Sequence, residues 1–340
     1  MPNTPTKILL STTLIGGILI SISSNSWLGA WMGLEVNLMS FIPLMSTQEN
    51  IYTTEASLKY FVIQALASSV LLFLVMMKAL ANQGFSMEWG MYEHTIMTPL
   101  LLKMGAAPLH WWFPSVMEGL SWTNCLLMMT VQSVAPMMLA SYLMSTNILT
   151  LTIIMMSVIV GSLGGMNQTS LRKILTYSSI NHTGWMLTAI LSGTNLWALY
   201  FTVYSLLTSA VTTITKTFNI SFVSQTMTTN GKSAIKFMLF MTLLSLGGLP
   251  PFIGFLPKWI VIQTLIMNNL SFITTLMVTM SLVTLYYYLR MCYSSFLILH
   301  EETKWGTNLY KENKIMMHSV ILSSISMMGL MVCTALTNIN

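Results

Sequence analysis

Charge is what this sequence has least of. Only 7% of its 340 residues are charged, aspartate is absent, and all nine acidic residues are Glu. A soluble domain carries about a quarter charged residues. With 54% hydrophobic residues and a mean hydropathy of +0.70, the chain has no water-facing surface to speak of and is an integral membrane protein. Cysteine is scarce too. Cys125, Cys292 and Cys333 lie far apart and form no CxxC, so neither an iron–sulfur cluster nor a disulfide framework is indicated. Phosphate-binding loops, nucleotide fingerprints and redox ligand sets are missing, so any energy source must lie elsewhere. Strand-type alternation is absent as well, which argues against an outer-membrane barrel.

What is present is helix-length apolar sequence. A helical span needs about 20 mostly apolar residues. Windows of that size fall near 8–23, 27–46, 56–79, 96–117, 121–144, 147–166, 171–192, 195–218, 236–268, 271–298 and 316–336, about eleven spans in one membrane domain covering 1–340. Met1–Lys7 leads into an apolar run without a small-residue cleavage site, which predicts a retained span rather than a signal peptide. Asn167 and Asn181 begin matches to the glycosylation pattern, but three residues are a weak signal. The 32 methionines suit adaptable apolar packing, and with the missing aspartate they fit a compositionally biased organelle genome.

An odd number of spans places the termini on opposite sides. Connections on the N-terminal side hold Lys7, Arg172, Lys173, Lys232, Lys236, Lys304, Lys311 and Lys314; the other side has little besides Lys78 near Glu88 and Glu93. Positive residues collect inside, which predicts a cytoplasmic or matrix N-terminus and an external C-terminus. The net charge of +5 follows from this asymmetry and from charges within spans, and gives no reason to expect nucleic-acid binding.

Ionisable residues inside or near spans are Glu35, Lys59, Lys103, His110, Lys173, His182, Lys216, Lys258 and Arg290. A charge at mid-bilayer costs about 2.5–3.5 kcal/mol on insertion scales, so it faces a cavity or a partner. Lys59, Lys173, Lys216 and Arg290 lie near predicted ends, from which long side chains reach headgroups. Glu35, Lys103 and Lys258 sit deeper and are the functional candidates. A buried carboxylate and a buried ammonium are each costly alone and tolerable together. A relay would use such a pair by breaking and remaking it; a static structural ion pair fits the same residues.

An internal repeat links two of these positions. Gly105, Pro108 and Pro114 have the spacing G-x-x-P-x-x-x-x-x-P, and Gly248, Pro251 and Pro257 have it again. Proline removes a backbone donor and clashes with the preceding turn, so both helices are expected to break. Broken backbone at membrane depth requires protein or a water-filled cavity around it. The first copy lies in the fourth span, the second in the ninth. Two five-span units, about 8–144 and 147–298, thus each break their fourth helix, with 316–336 left over. Five is odd, so the units run through the membrane in opposite senses. This is the inverted repeat of ion carriers, with the transport site at matched broken helices.

Four stretches carry a family resemblance: TEASLKYF (54–61), LKMGAAPLHWWFPSVMEGL (102–120), GSLGGMNQTSLRKILTYSSINHTGWML (161–187) and SLGGLPPFIGFLPKWIVIQ (245–263). They resemble the chain 2 family of mitochondrial NADH:ubiquinone oxidoreductase, respiratory complex I, in its arthropod form. The resemblance runs over almost the whole chain and is least distinctive near 220–235 and past 300. It implies an antiporter-like membrane-arm subunit of the inner membrane, with its N-terminus on the matrix side and its C-terminus on the intermembrane-space side. It implies other complex I membrane-arm subunits as partners and cardiolipin as a plausible lipid. NADH, FMN, iron–sulfur clusters and ubiquinone would be handled by other subunits, with no cofactor or metal bound directly. Glu35 and Lys103 match the family's Glu–Lys pair, Lys258 its terminal lysine, and His182 a polar position in another interrupted helix. Ser133, in Gln132-Ser133-Val134-Ala135-Pro136, stands where the family's central lysine is expected. A serine hydroxyl holds a water but stores no charge. Either the relay runs on Lys103, waters and His182 without a central amine, or a codon that some arthropod mitochondria decode as lysine has been read as serine. Two other readings remain. A stand-alone cation/proton antiporter would transport alone in liposomes, and a structural scaffold would keep pumping after Lys258 is replaced.

Overall fold

The computed structural model describes residues 5–46, 50–84, 89–228, 233–296, 314–329 and 334. These residues form helices α1 (Pro5–Ser23), α2 (Trp27–Met45), α3 (Ile51–Gly84), α4 (Trp89–Met104), α5 (Trp112–Gly119), α6 (Trp122–Met129), α7 (Val131–Ser141), α8 (Ile148–Gly165), α9 (Leu171–Ser192), α10 (Thr194–Phe218), α11 (Val223–Thr228), α12 (Ser233–Gly247), α13 (Phe255–Met267), α14 (Ser271–Phe296) and α15 (Lys314–Met327). Among the described residues the only β pairing is an isolated bridge between Ser170 and Phe222.

Among the described residues, seven stretches are long and apolar enough to cross a membrane: Pro5–Ser23, Trp27–Met45, Ile51–Leu80, Trp122–Ser141, Ile148–Gly165, Thr194–Phe218 and Ser271–Tyr293. The other expected spans fall short for identifiable reasons. Those at 96–117 and 236–268 are each divided into two half-helices, α4/α5 and α12/α13, and α9 is unusually polar. Part of 316–336, including Cys333, lies outside the described residues.

The chain divides into two compact units, Met1–Ser157 and Val158–Asn340. In the first, α1 and α2 approach closely because Gly17 and Gly33 face each other. A Cβ on Gly33 would meet the backbone of Ser21 and Gly17, and one on Gly17 the backbone of Asn37 and Gly33. Small residues of this kind let membrane helices pack backbone to backbone. α2 also packs on α3, and α4 packs on both α3 and α7. In the second unit, α9 packs on α10 and α13, while α12 is covered by α10, α14 and α15.

Candidate functional site

The repeated spacing produces the same local device twice. α4 ends at Met104 and Gly105 follows with φ +71°; α12 ends at Gly247 and Gly248 follows with φ +83°. The left-handed conformation after a helix end favours glycine. Gly105 N–H bonds to Leu102 O (3.2 Å) and Ala106 N–H to Leu101 O (3.1 Å). Gly248 N–H bonds to Ser245 O (3.1 Å) and Leu249 N–H to Leu244 O (3.5 Å). Both ends are therefore Schellman caps. The second half-helices begin at Trp112 and Phe255, which places Pro114 and Pro257 each at the third helical position. N–H groups there have no intrahelical partner, so proline loses nothing.

The lysines occupy different halves. Lys103 is in the last turn of α4, before the break; Lys258 is in the first turns of α13, after it. Both are buried, 8% and 5% exposed. Lys258 Nζ reaches back to donate to Gly247 O (2.9 Å) and Leu246 O (3.4 Å), the carbonyls that end α12. It also lies 5.8 Å from the centroid of the Trp185 ring. A cation is favoured at a helix C-terminus by its partial negative charge, and over an aromatic face by the ring quadrupole. In the first break, neutral side chains take the corresponding duty. Gln64 Nε2 donates to Lys103 O (3.2 Å) and Trp112 Nε1 to Leu102 O (3.1 Å).

Lys103 lines a cavity of about 10 Å³ with Leu34, Asn37, Leu38, Tyr60, Gln64, Gln132 and Pro136. That is room for about one water. Glu35 is half-buried on α2, with Oε2 enclosed and lacking a hydrogen-bond partner. Its charge is felt at Lys103, but no ion pair joins the two. The expected Glu35–Lys103 pair is thus a proximity rather than a contact.

Ser133 Oγ is engaged by its own helix, donating to Thr130 O (2.7 Å) and Met129 O (3.3 Å). It does not line the Lys103 cavity, although its neighbour Gln132 does. The expected single span at 121–144 is interrupted beside it, at Thr130 between α6 and α7.

His182 corrects an expectation. Its helix, α9, is continuous over 22 residues rather than interrupted. It contains no proline, and its hydroxyls bond within the helix, as Ser178 does to Leu175 O and Thr183 to Ile180 O. His182 is buried, its Nδ1 is 2.8 Å from Tyr200 Oη, and its ring lies 5.0 Å from that of Tyr204. Asn181 Oδ1 and Trp185 Nε1 on the same helix are buried without a partner. Burial of Asn181 within α9 also removes it as a glycosylation site.

The remaining candidate charges separate by depth. Lys216 and Arg290 are exposed, and Lys59 is exposed and paired with Glu55 (3.8 Å). His110 and Lys173 are half-buried. Sequence reasoning missed the uncharged residues around the charges: Asn37, Tyr60, Gln64 and Gln132 beside Lys103, and Tyr200 and Tyr204 beside His182. The available signal was an amide in an otherwise apolar span.

Comparison with known proteins decides the family. A family model described as NADH:quinone oxidoreductase/Mrp antiporter, TM, matches residues 24–284, and one described as NADH dehydrogenase subunit 2 C-terminus matches 285–337. NADH-ubiquinone oxidoreductase chain 2 of Anopheles gambiae is 50% identical over 93% of this chain and 94% of its own length. The chain belongs to the NADH-ubiquinone oxidoreductase chain 2 family. Chain 2 of Locusta migratoria is 45% identical over 98% of both chains. The fold of this chain 2 family member is shared with a chain of respiratory complex I from Thermus thermophilus, solved with bound aureothin. That likeness has a TM-score of 0.81 at 23% identity, over 96% of this chain and 79% of that one. A chain of the Mrp complex from Dietzia sp. has the same fold, with a TM-score of 0.81 at 15% identity, over 96% and 75%. The protein is therefore an antiporter-like, multi-pass mitochondrial membrane subunit of proton-pumping complex I.

Proposed function

We propose that protons move through this subunit by way of Glu35, Lys103, His182 and Lys258 with water between them, Ser133 standing at the central-lysine position. One observation carries the reading: each broken helix holds a buried lysine, Lys258 with its ammonium on the freed carbonyls that end α12 and Lys103 beside a polar cavity at the end of α4. The unpartnered Glu35 oxygen supplies a negative group near the first of them. On this reading 8–144 and 147–298 are inverted repeat units, and the N-terminus faces the matrix of the inner membrane. Other complex I membrane-arm subunits are its neighbours, cardiolipin is a fitting lipid, and NADH, FMN, iron–sulfur clusters and ubiquinone are held by other subunits.

The test uses Lys258→Met and Lys258→Arg in assembled complex I. Arginine keeps a donor for the Leu246 and Gly247 carbonyls but does not release its proton. Both variants are expected to assemble and to lose proton pumping by about tenfold or more, a modest figure for removal of a proton-transfer group. Native pumping in the assembled arginine variant would leave Lys258 a structural role only.

A further inference from the structure

Beside Lys103 lies a group of neutral side chains for which the proton path has so far had no use. Asn37 on α2 and Gln132 on α7 form a reciprocal amide pair. Asn37 Nδ2 donates to Gln132 Oε1 (3.0 Å), and Gln132 Nε2 donates back to Asn37 Oδ1 (3.2 Å). Tyr60 on α3 donates its hydroxyl to the same Gln132 Oε1 (3.3 Å). All three are buried, at 4%, 9% and 3% exposure.

Counting valences shows what is left over. Gln132 Oε1 accepts twice and is saturated. Each amide nitrogen keeps one N–H, and Asn37 Oδ1 keeps one lone pair. Leaving such groups unpaired costs about 1–3 kcal/mol apiece. They border the water-sized cavity that Lys103 also lines. An ammonium offers donors and no acceptor, so it needs an oxygen between itself and the amide N–H groups. A single water meets the requirement, accepting from Lys103 and from an amide while donating to Asn37 Oδ1. Amides do not change charge near neutral pH, so the pair fixes the water without competing for its proton. Gln132 is also the polar side chain by which α7 reaches this cavity, beside the apolar Pro136, because Ser133 Oγ bonds to Thr130 and Met129 carbonyls instead.

We propose that Asn37, Gln132 and Tyr60 form a neutral clamp that holds a water molecule in hydrogen-bond contact with the Lys103 ammonium, making them positioning residues for proton exchange there. This rests on the proton-carrying role of Lys103. The alternative is a static tie between α2 and α7.

The experiment compares Asn37→Leu/Gln132→Leu with the length swap Asn37→Gln/Gln132→Asn, both in assembled complex I in sealed vesicles. The leucine pair removes both amides at once and orphans only the Tyr60 hydroxyl, so assembly is expected to persist. Proton pumping is expected to fall about tenfold, equivalent to about 1.4 kcal/mol on the transfer barrier. The swap re-forms the pair and is expected to restore pumping to within about twofold of native. Tyr60→Phe, which frees one lone pair of Gln132, is expected to lower pumping about threefold. Native pumping by the assembled leucine pair overturns the clamp, as does a swap that assembles but pumps no better than the leucine pair. If the leucine pair fails to assemble, Tyr60→Phe and the swap decide, and native pumping by Tyr60→Phe overturns the clamp. Lys103→Met run alongside separates the two ideas. If it pumps normally, the role of Lys103 falls; if it is silent while the leucine pair pumps, only the clamp falls.

Discussion

The two broken helices share a cap, a proline register and a buried lysine, yet they use the lysine differently. At the α12/α13 break the ammonium itself satisfies the carbonyls of Leu246 and Gly247. At the α4/α5 break Gln64 and Trp112 satisfy the carbonyls of Lys103 and Leu102, which leaves the ammonium to a polar cavity. The register explains the difference. Lys103 lies two residues before its glycine, and the matching position in the second copy is Leu246; Lys258 follows its proline, and the matching position in the first is Ser115. A lysine after the break points back at the preceding helix end. A lysine before the break cannot bond its own terminal carbonyls in the same way, so other elements must.

The second break is also the more tightly enclosed. Ile253 N–H donates to Ser326 O at the end of α15 (3.1 Å), and a Cβ on Gly329 would strike the backbone of Phe252 and Ile253. Gly254 faces the carbonyl of Ser245 with no room for a side chain. Its counterpart in the first break is Trp111, which is 65% exposed.

The largest effect that separates the two breaks is therefore one of packing. Gly254→Val forces a side chain into backbone and is expected to cost about 3 kcal/mol or more. It should abolish accumulation of the assembled subunit, read by native electrophoresis of the complex. Trp111→Ala at the matching position is expected to stay within about 0.5 kcal/mol of native. Equal losses would show that the breaks are enclosed alike.

An intermediate effect separates them by function. Gly105→Ala and Gly248→Ala place a side chain at positive φ, at about 1–2 kcal/mol each. At Gly248 the new Cβ lies 3.0 Å from both Cδ and Nζ of Lys258, whereas at Gly105 it meets Cβ of Phe113 at 3.2 Å. Similar thermal destabilisation is expected for the two, with proton pumping per assembled complex falling only for Gly248→Ala, about threefold as the ammonium is pushed off its carbonyls. A matching pumping loss in Gly105→Ala would remove the distinction.

The smallest effect tests the neutral capping of the first break. Trp112→Phe deletes the donor to Leu102 O, which retains Gly105 N–H. A loss of about 1 kcal/mol in thermal stability is expected, with little change in pumping.

Much of this was legible in the chain itself. Scarcity of charge and helix-length apolar runs fixed the class, and the G-x-x-P-x-x-x-x-x-P spacing placed both breaks, because a left-handed glycine and a proline in a first helical turn are local requirements. The interruption at Thr130 was not legible, since Thr130 carries no breaker of its own. His182 misled for another reason: the family resemblance implied an interrupted helix there, but serine and threonine hydroxyls bond to carbonyls of their own helix and leave α9 intact. The Asn37–Gln132 pair was also hidden, because the two amides are far apart in sequence and meet only when α2 packs against α7.

By itself, then, the sequence determined that the chain spans a membrane, where two of its helices break, and which ammonium groups cannot escape to water. Each follows from short-range chemistry: hydropathy, backbone φ and the cost of burying charge. Only the tertiary structure decided what those ammonium groups meet. Lys258 meets the end of α12, and Lys103 meets a cavity walled by amides from three other helices. Partners of that kind are set by helix packing over long sequence separations, which no local pattern records.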